Sequence, residues 1–194
     1  IAYFTTTPNH IQEIQKLSGE TEAEIHKIMI MGGSRIAIRI SSYAPDNMAI
    51  KLIECDKQKS YKLAEYMNDI IIIQGDGRNV DLLKEEGIRD MDAFIALTDS
   101  SETNILACLT AKELGVKKTI AEVENIQFIS TAERLNIGNI INKKLLAASR
   151  IFQLLLDEDS SNAKCLALSD AEVVELVAKE NSKITKAAVK DLKL

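Results

Sequence analysis

Gly32-Gly33-Ser34-Arg35-Ile36-Ala37 follows the apolar run Lys27–Met31 directly and opens a segment with helical spacing at Ile36, Ile40 and Tyr43. That is the arrangement of a dinucleotide loop. Its first glycine makes the tight turn, its second lets the backbone approach a pyrophosphate, and its third allows close helix–strand packing. The helix N-terminus adds positive potential. Gly32 is in place here, Ser34 stands at the second position, and Ala37 stands at the third, where the pattern tolerates it. Glu54 ends the next apolar run, 22 residues after Gly32. A carboxylate at that point can accept from both hydroxyls of an adenosine ribose and repels a 2′-phosphate, which favours NAD over NADP. The plainer alternative is that Gly32-Gly33 only turns the chain and Glu54 is a solvated strand end.

Two further loops follow apolar runs. Asp76, in Gly75-Asp76-Gly77, can accept from an adenine amino group or bond within its own turn. Thr98 and Asp99 follow Asp92–Leu97 and can line the same crevice or cap the next helix. Histidine and cysteine chemistry finds little support. His10 and His26 sit in a polar N-terminal stretch that reads as surface. Cys55, Cys108 and Cys165 make no metal spacing and no disulfide framework. No catalytic residue and no metal ligand set is assigned.

These groups need a frame, and the chain alternates strand and helix patterns from 27 to 156. Apolar runs at 27–31, 48–55, 69–74, 92–97, 117–123 and 139–141 alternate with helical stretches at 34–43, 57–67, 80–86, 103–114, 126–134 and 143–156. Strands that are apolar throughout imply burial on both faces, and intervening helices imply right-handed parallel crossovers. The fold class expected is α/β, a Rossmann-like doubly wound parallel sheet with partial flanking segments. Residues 1–24 hold a short strand, a turn at Pro8 and a polar helix. Residues 157–162 form an acidic linker, and the rest reads as two strands and a helix. The chain opens on Ile1 and ends at Leu194 without a turn signal, which suggests a piece of a longer one.

Bulk properties narrow the partners. A net charge of −5 with no basic block disfavours nucleic acid and lipid surfaces, both of which need a concentrated positive field. No stretch approaches the roughly 18 apolar residues of a membrane span, so any membrane role runs through a partner.

The progression IMIMGGSRIAIRI, LIECD and IIIIQGDGRNVDLLKEEGIRDMDAFIALTDSSETNILACLTAKELGVKKTIAEVEN resembles the RCK domain, also called KTN. The resemblance runs from about Lys27 to Leu156. It implies an organisation: residues 1–24 as the tail of a preceding repeat's C-terminal subdomain, 25–156 as the NAD-binding RCK core, and 157–194 as the start of the next C-terminal subdomain. Tandem repeats of this kind are typical of TrkA-like regulatory subunits of Trk-type potassium uptake, and this chain is similar to a second repeat.

What the resemblance implies is a cytosolic regulatory subunit that binds NAD(H), or ATP or ADP. It assembles as a homo-oligomer and gates a membrane pore subunit, lying peripheral to the inner membrane through that partner. Gly32, Gly33, Ser34 and Ile36 then fall in the phosphate loop, and Arg35 at a position that reaches phosphates. Glu54 becomes the ribose ligand, and Asp76 and Gly77 lie by the adenine. Thr98 and Asp99 lie in the second half of the crevice, and Glu133 at an acidic position beside the phosphates. The departures are Ser34, Ala37 and the acids Glu122 and Glu124, whose charge is expected to weaken anion binding. Two other readings remain: a structural pseudo-Rossmann scaffold that has lost its nucleotide, and a fragment of an NAD-dependent dehydrogenase.

Overall fold

The computed structural model describes residues 24–155 without interruption, and beyond them residues 14, 160–165, 172–176, 178, 180 and 182–186. The strand, Pro8 turn and His10 expected near the N-terminus lie outside the described residues, as does most of the polar helix after them.

Six strands and six helices alternate: β1 (Lys27–Met31), α1 (Arg35–Tyr43), β2 (Ala49–Glu54), α2 (Lys57–Tyr66), β3 (Ile71–Gln74), α3 (Val80–Glu85), β4 (Ala93–Ala96), α4 (Ser101–Glu113), β5 (Lys118–Glu122), α5 (Ile126–Arg134), β6 (Asn139–Ile141) and α6 (Lys143–Leu155). All six strands are parallel, in the order β3-β2-β1-β4-β5-β6. The chain therefore winds outward one way from β1, returns, and winds outward the other way from β4. The Rossmann-like expectation is met. The crossover lies between β1 and β4, where Met31 is level with Ala96.

The two-residue period of each strand sorts its side chains into two cores. Met29, Met31, Ile53, Ile73, Phe94 and Ala96 face one side, under Leu83 of α3, Ile105, Cys108 and Ala111 of α4, and Ile129 and Ala132 of α5. Ile28, Ile30, Ile50, Leu52, Ala93 and Ile95 face the other, under Ala37 of α1 and Leu63 of α2. β1 and β4 are buried on both faces because each has a strand on either side and helices above and below. The run 69–74 differs from its expectation of full burial. Its strand is shorter and lies at the sheet edge, with Ile71 57% exposed, because β2 is its one neighbour.

Helix starts follow side-chain caps. Ser34, Asp56, Asn79, Ser100 and Asn125 each accept from a first-turn N–H. Ser100 caps α4, so the helix begins two residues earlier than expected, and Thr98 and Asp99 are left outside it. Beyond α6, β7 (Ser160–Cys165) pairs antiparallel with β8 (Glu172–Leu176), with a register irregularity between Ser160 and Asn162. This pairing draws Ser160–Asn162, expected as linker, into a strand.

Phe94 is fully buried at the centre of β4, with α4 above it. Phe94→Ala is expected to cost about 3–5 kcal/mol of stability, as buried Phe truncations do. Chemical denaturation checks this, and a loss under about 1 kcal/mol would show that the core collapses around the gap.

Candidate nucleotide-binding site

A parallel sheet with this crossover leaves a crevice beyond the strand C-termini where the helices on either side diverge. Here it measures about 350 Å³ and is lined by Gly32, Ser34, Glu54, Lys59, Asp76, Gly77, Arg78, Thr98 and Asp99, among others. That volume falls in the usual range for small-molecule sites, about 300–1,000 Å³.

Gly32 turns out of β1 with φ +96°, and its N–H donates to the Ile53 carbonyl at 2.8 Å. A Cβ on Gly32 would stand 2.9 Å from the Leu97 carbonyl oxygen, so both backbone geometry and space require glycine there. Gly33 is packed as closely. A Cβ there would meet Leu63 Cδ1 at 2.4 Å and Glu54 Oε2 at 2.9 Å. Ser34, the departure from the glycine pattern, caps α1: its Oγ accepts from the Ala37 N–H at 3.3 Å. Ala37 is fully buried and gives the close helix–sheet contact that the third glycine would.

Glu54 is 4% exposed, and its two oxygens face four donors. Oε2 accepts from the Gly33 N–H at 2.9 Å and pairs with Lys59 Nζ at 2.9 Å. Oε1 accepts from the Asp56 N–H at 2.9 Å and from the Cys55 thiol at 3.5 Å. Burial opposes ionisation of this carboxyl, but the Asp56, Lys59 and Gly33 donors outweigh it and hold the group below the ordinary carboxylate value. Burial, and after it the same carboxylate, pushes the Cys55 thiol up.

Asp76 bonds within its own turn. It accepts from the Arg78 backbone N–H at 2.9 Å and grips the Arg78 guanidinium at 2.7–3.1 Å, which lowers its carboxyl below the usual range. Thr98 is fixed by Asn104, a fully buried residue of α4. Asn104 Oδ1 accepts from the Thr98 N–H at 3.0 Å and its hydroxyl at 2.6 Å, while Nδ2 donates to the Thr98 and Glu122 carbonyls at 2.9 and 2.8 Å. One amide thus ties the ends of β4 and β5 to α4.

The structure brings Gly32, Ser34, Glu54, Asp76, Gly77, Thr98 and Asp99 to one crevice, with Gly33 beneath it. It does not bring Arg35, Ile36 or Glu133 there. Arg35 and Ile36 line a separate apolar groove of about 560 Å³ with Arg39, Tyr43 and Met48, because successive helical residues turn by 100° and these two rotate away from Ser34. Glu133 lies on α5, and its Oε2 is buried without a hydrogen-bond partner among the described residues.

The expectation that Glu122 and Glu124 burden the crevice with negative charge is corrected. Neither lines it. Lys143 Nζ stands 2.6 Å from Glu122 Oε1 and 3.2 Å from Glu124 Oε1, so their charge is spent on the start of α6. That pairing, the Glu122 bond first, raises the Lys143 ammonium. His26 lies at the start of β1, the opposite end of the strand, next to Glu24. Burial pushes the Cys108 thiol up to about 12. Among the described residues no group of three His, Cys, Asp or Glu is placed to hold a metal ion, and no helix is long and apolar enough to cross a membrane.

Sequence reasoning passed over Lys59, Arg78 and Asn104. An acid and a base five residues apart across a strand–helix turn signal the Glu54–Lys59 pair. The Asp-x-Arg spacing in the loop signals the second pair. Nothing local marks Asn104, whose partners are distant in the chain.

Comparison with known proteins places this geometry in a family. The model of the TrkA-N domain matches residues 28–143. The Trk system potassium uptake protein TrkA of Vibrio alginolyticus is 31% identical over 195 residues, covering 99% of this chain and 43% of that protein. The Trk system potassium uptake protein trkA homolog 1 of Methanosarcina mazei is 27% identical over 179 residues, covering 91% and 44%. The chain thus spans less than half the length of these curated relatives. Among solved structures, the TrkA-N domain of the inner membrane protein ybaL from Escherichia coli superposes with TM-score 0.59 at 11% identity, covering 70% of this chain and all of that one. A GsuK channel bound to NAD gives 0.53 at 16% identity, covering 77% and 27%. GsuK bound to ADP gives 0.55 at 16%, covering 67% and 34%. At these identities the likeness is one of fold.

The fold favours ionised Glu54, so the stability this group contributes is complete above its ordinary value of 4.5 and is lost as pH falls through the lower folded-state value. Glu54→Gln is expected to lose about 1.5–3 kcal/mol at neutral pH, the scale of a hydrogen bond to a charged group. The gap from wild type should narrow in acid below that value. Denaturation at stepped pH measures it, and a gap that stays constant into acid would show that the charge contributes nothing.

Proposed function

This chain belongs to the TrkA-N domain family, and on that premise we propose that it is a cytosolic nucleotide-binding regulatory module that gates a membrane potassium-uptake system. The observation that carries the reading is the crevice at the β1–β4 crossover, with the Gly32-Gly33 turn on one wall and Glu54 at the end of β2. The ligand is NAD(H), with ATP or ADP as the alternative adenine nucleotides. Relatives named as potassium uptake proteins, and GsuK structures described as bound to NAD and to ADP, support it.

The residues present fit such a ligand. The first turn of α1 offers a helix N-terminus to the phosphates. Glu54 accepts the ribose hydroxyls, Asp76 and Gly77 adjoin the adenine, and Thr98 and Asp99 line the half toward the second nucleoside. Gly33 holds Glu54 beneath the phosphate loop. Arg35 and Glu133 have no part in this crevice, since neither side chain lines it. A bound nucleotide controls a partner only by favouring one of two states, with a coupling of about 1–3 kcal/mol typical. The partner is a membrane pore subunit, the assembly a homo-oligomer, and the position peripheral to the inner membrane. The role is binding rather than catalysis: of the crevice carboxylates, Glu54 and Asp76 are committed to Lys59 and Arg78 of their own chain.

One observation favours a second reading, a scaffold domain without a nucleotide: the acceptor positions of Glu54 are already filled from within the chain. Titration calorimetry with NADH, NAD, ATP and ADP separates the two. The regulatory reading expects saturable binding of at least one, weakened at least tenfold in Glu54→Ala, about 1.4 kcal/mol. Absence of binding by all four supports the scaffold.

A further inference from the structure

The ribose end of the crevice has a property that its carboxylate alone does not convey. An ionised carboxylate has about four acceptor positions. On Glu54, Oε2 serves the Gly33 N–H and Lys59 Nζ, and Oε1 serves the Asp56 N–H and the Cys55 thiol. The two backbone donors are fixed by the Gly32-Gly33 turn and by the start of α2. The thiol at 3.5 Å is a weak donor. Lys59 is the one strong partner on a long flexible stem, and its side chain is 49% exposed while Glu54 is 4% exposed. It also lines the crevice itself.

Two ribose hydroxyls arriving at Glu54 therefore take the places of the lysine and the thiol. The displaced ammonium remains beside the ribose, on a side chain that reaches solvent. The charge count changes the selectivity expected of this end. An unpaired carboxylate repels a phosphate on the ribose 2′-oxygen. Paired with Lys59 it presents no net charge, and the freed ammonium is a compact cation suited to a phosphate dianion. Arg78, 66% exposed, lines the same crevice, turned toward Asp76.

We infer that Lys59 sets selectivity at the ribose end, by neutralising Glu54 and offering its ammonium to a 2′-phosphate, so that the crevice takes 2′-phosphorylated dinucleotides as well as unphosphorylated ones. This rests on the nucleotide-binding reading above. It removes the bias against a 2′-phosphate that the sequence spacing of Gly32 and Glu54 implies.

The test is the ratio of dissociation constants for NADPH and NADH, by calorimetry on this chain as wild type, Lys59→Met and Lys59→Arg. The expected wild-type ratio lies below about ten, a difference within 1.4 kcal/mol. Lys59→Met raises the ratio at least tenfold, and Lys59→Arg, which keeps the charge, does not. A wild-type ratio above ten, or a Lys59→Met variant with the ratio unchanged, overturns the inference while leaving NADH binding intact. Failure to bind either nucleotide overturns the binding reading and this inference with it.

Discussion

The buried carboxylate of Glu54 ties the turn after β1 to the β2–α2 junction, two segments that sequence separates. It receives the Gly33 N–H from the turn after β1, the Asp56 N–H from the start of α2, and the Lys59 ammonium from the first turn of that helix. A charge this deep is tolerated only when its acceptor positions are met. The glycine turn, the end of β2 and the entry to α2 are thus set by a common requirement, and that requirement shapes one wall of the crevice. Gly33 has no room for a side chain because Glu54 and Leu63 already occupy the space.

The opposite wall is held in place by neutral amides. Asn104 spends its amide on Thr98 and on the Glu122 carbonyl, and Asn142 spends its own on the Val123 and Glu124 carbonyls at 2.7 and 3.1 Å. The C-terminal ends of β4 and β5 are held by Asn104 of α4 and by Asn142, the residue before α6. Between the two walls lies the point where winding reverses, and the crevice is there because no helix crosses over it. Glu122 at the end of β5 and Glu124 just after it are turned the other way, toward Lys143 at the start of α6, so their charge secures the helix rather than opposing an anion.

Much of this was legible in the residues. The glycine turn after β1, the alternation of apolar runs with capped helices, and the acid 22 residues after Gly32 led to the doubly wound sheet and to most of the crevice lining. What was missed had physical causes. Helical rotation carries Arg35 and Ile36 away from Ser34, and a motif read as a string has no rotation. The edge position of β3 depends on strand order, which an apolar run does not encode. Lys59 was passed over, because its ion pair with Glu54 forms only where the strand–helix turn brings the two to 2.9 Å. Strand pairing also drew Ser160–Asn162 out of a segment whose composition suggested a linker.

We propose that an adenine nucleotide sits against Glu54 at the crossover rather than in the groove lined by Arg39 and Tyr43. The most direct measurement is amide NMR of the chain as NADH is added. The account predicts that the Gly33, Asp56 and Thr98 amides shift together and saturate, because they report on the two walls of the crevice, while those of Arg39 and Tyr43 beside the outer groove stay in place. Saturating shifts confined to Arg39 and Tyr43, or no shift at Gly33 and Asp56, would contradict it.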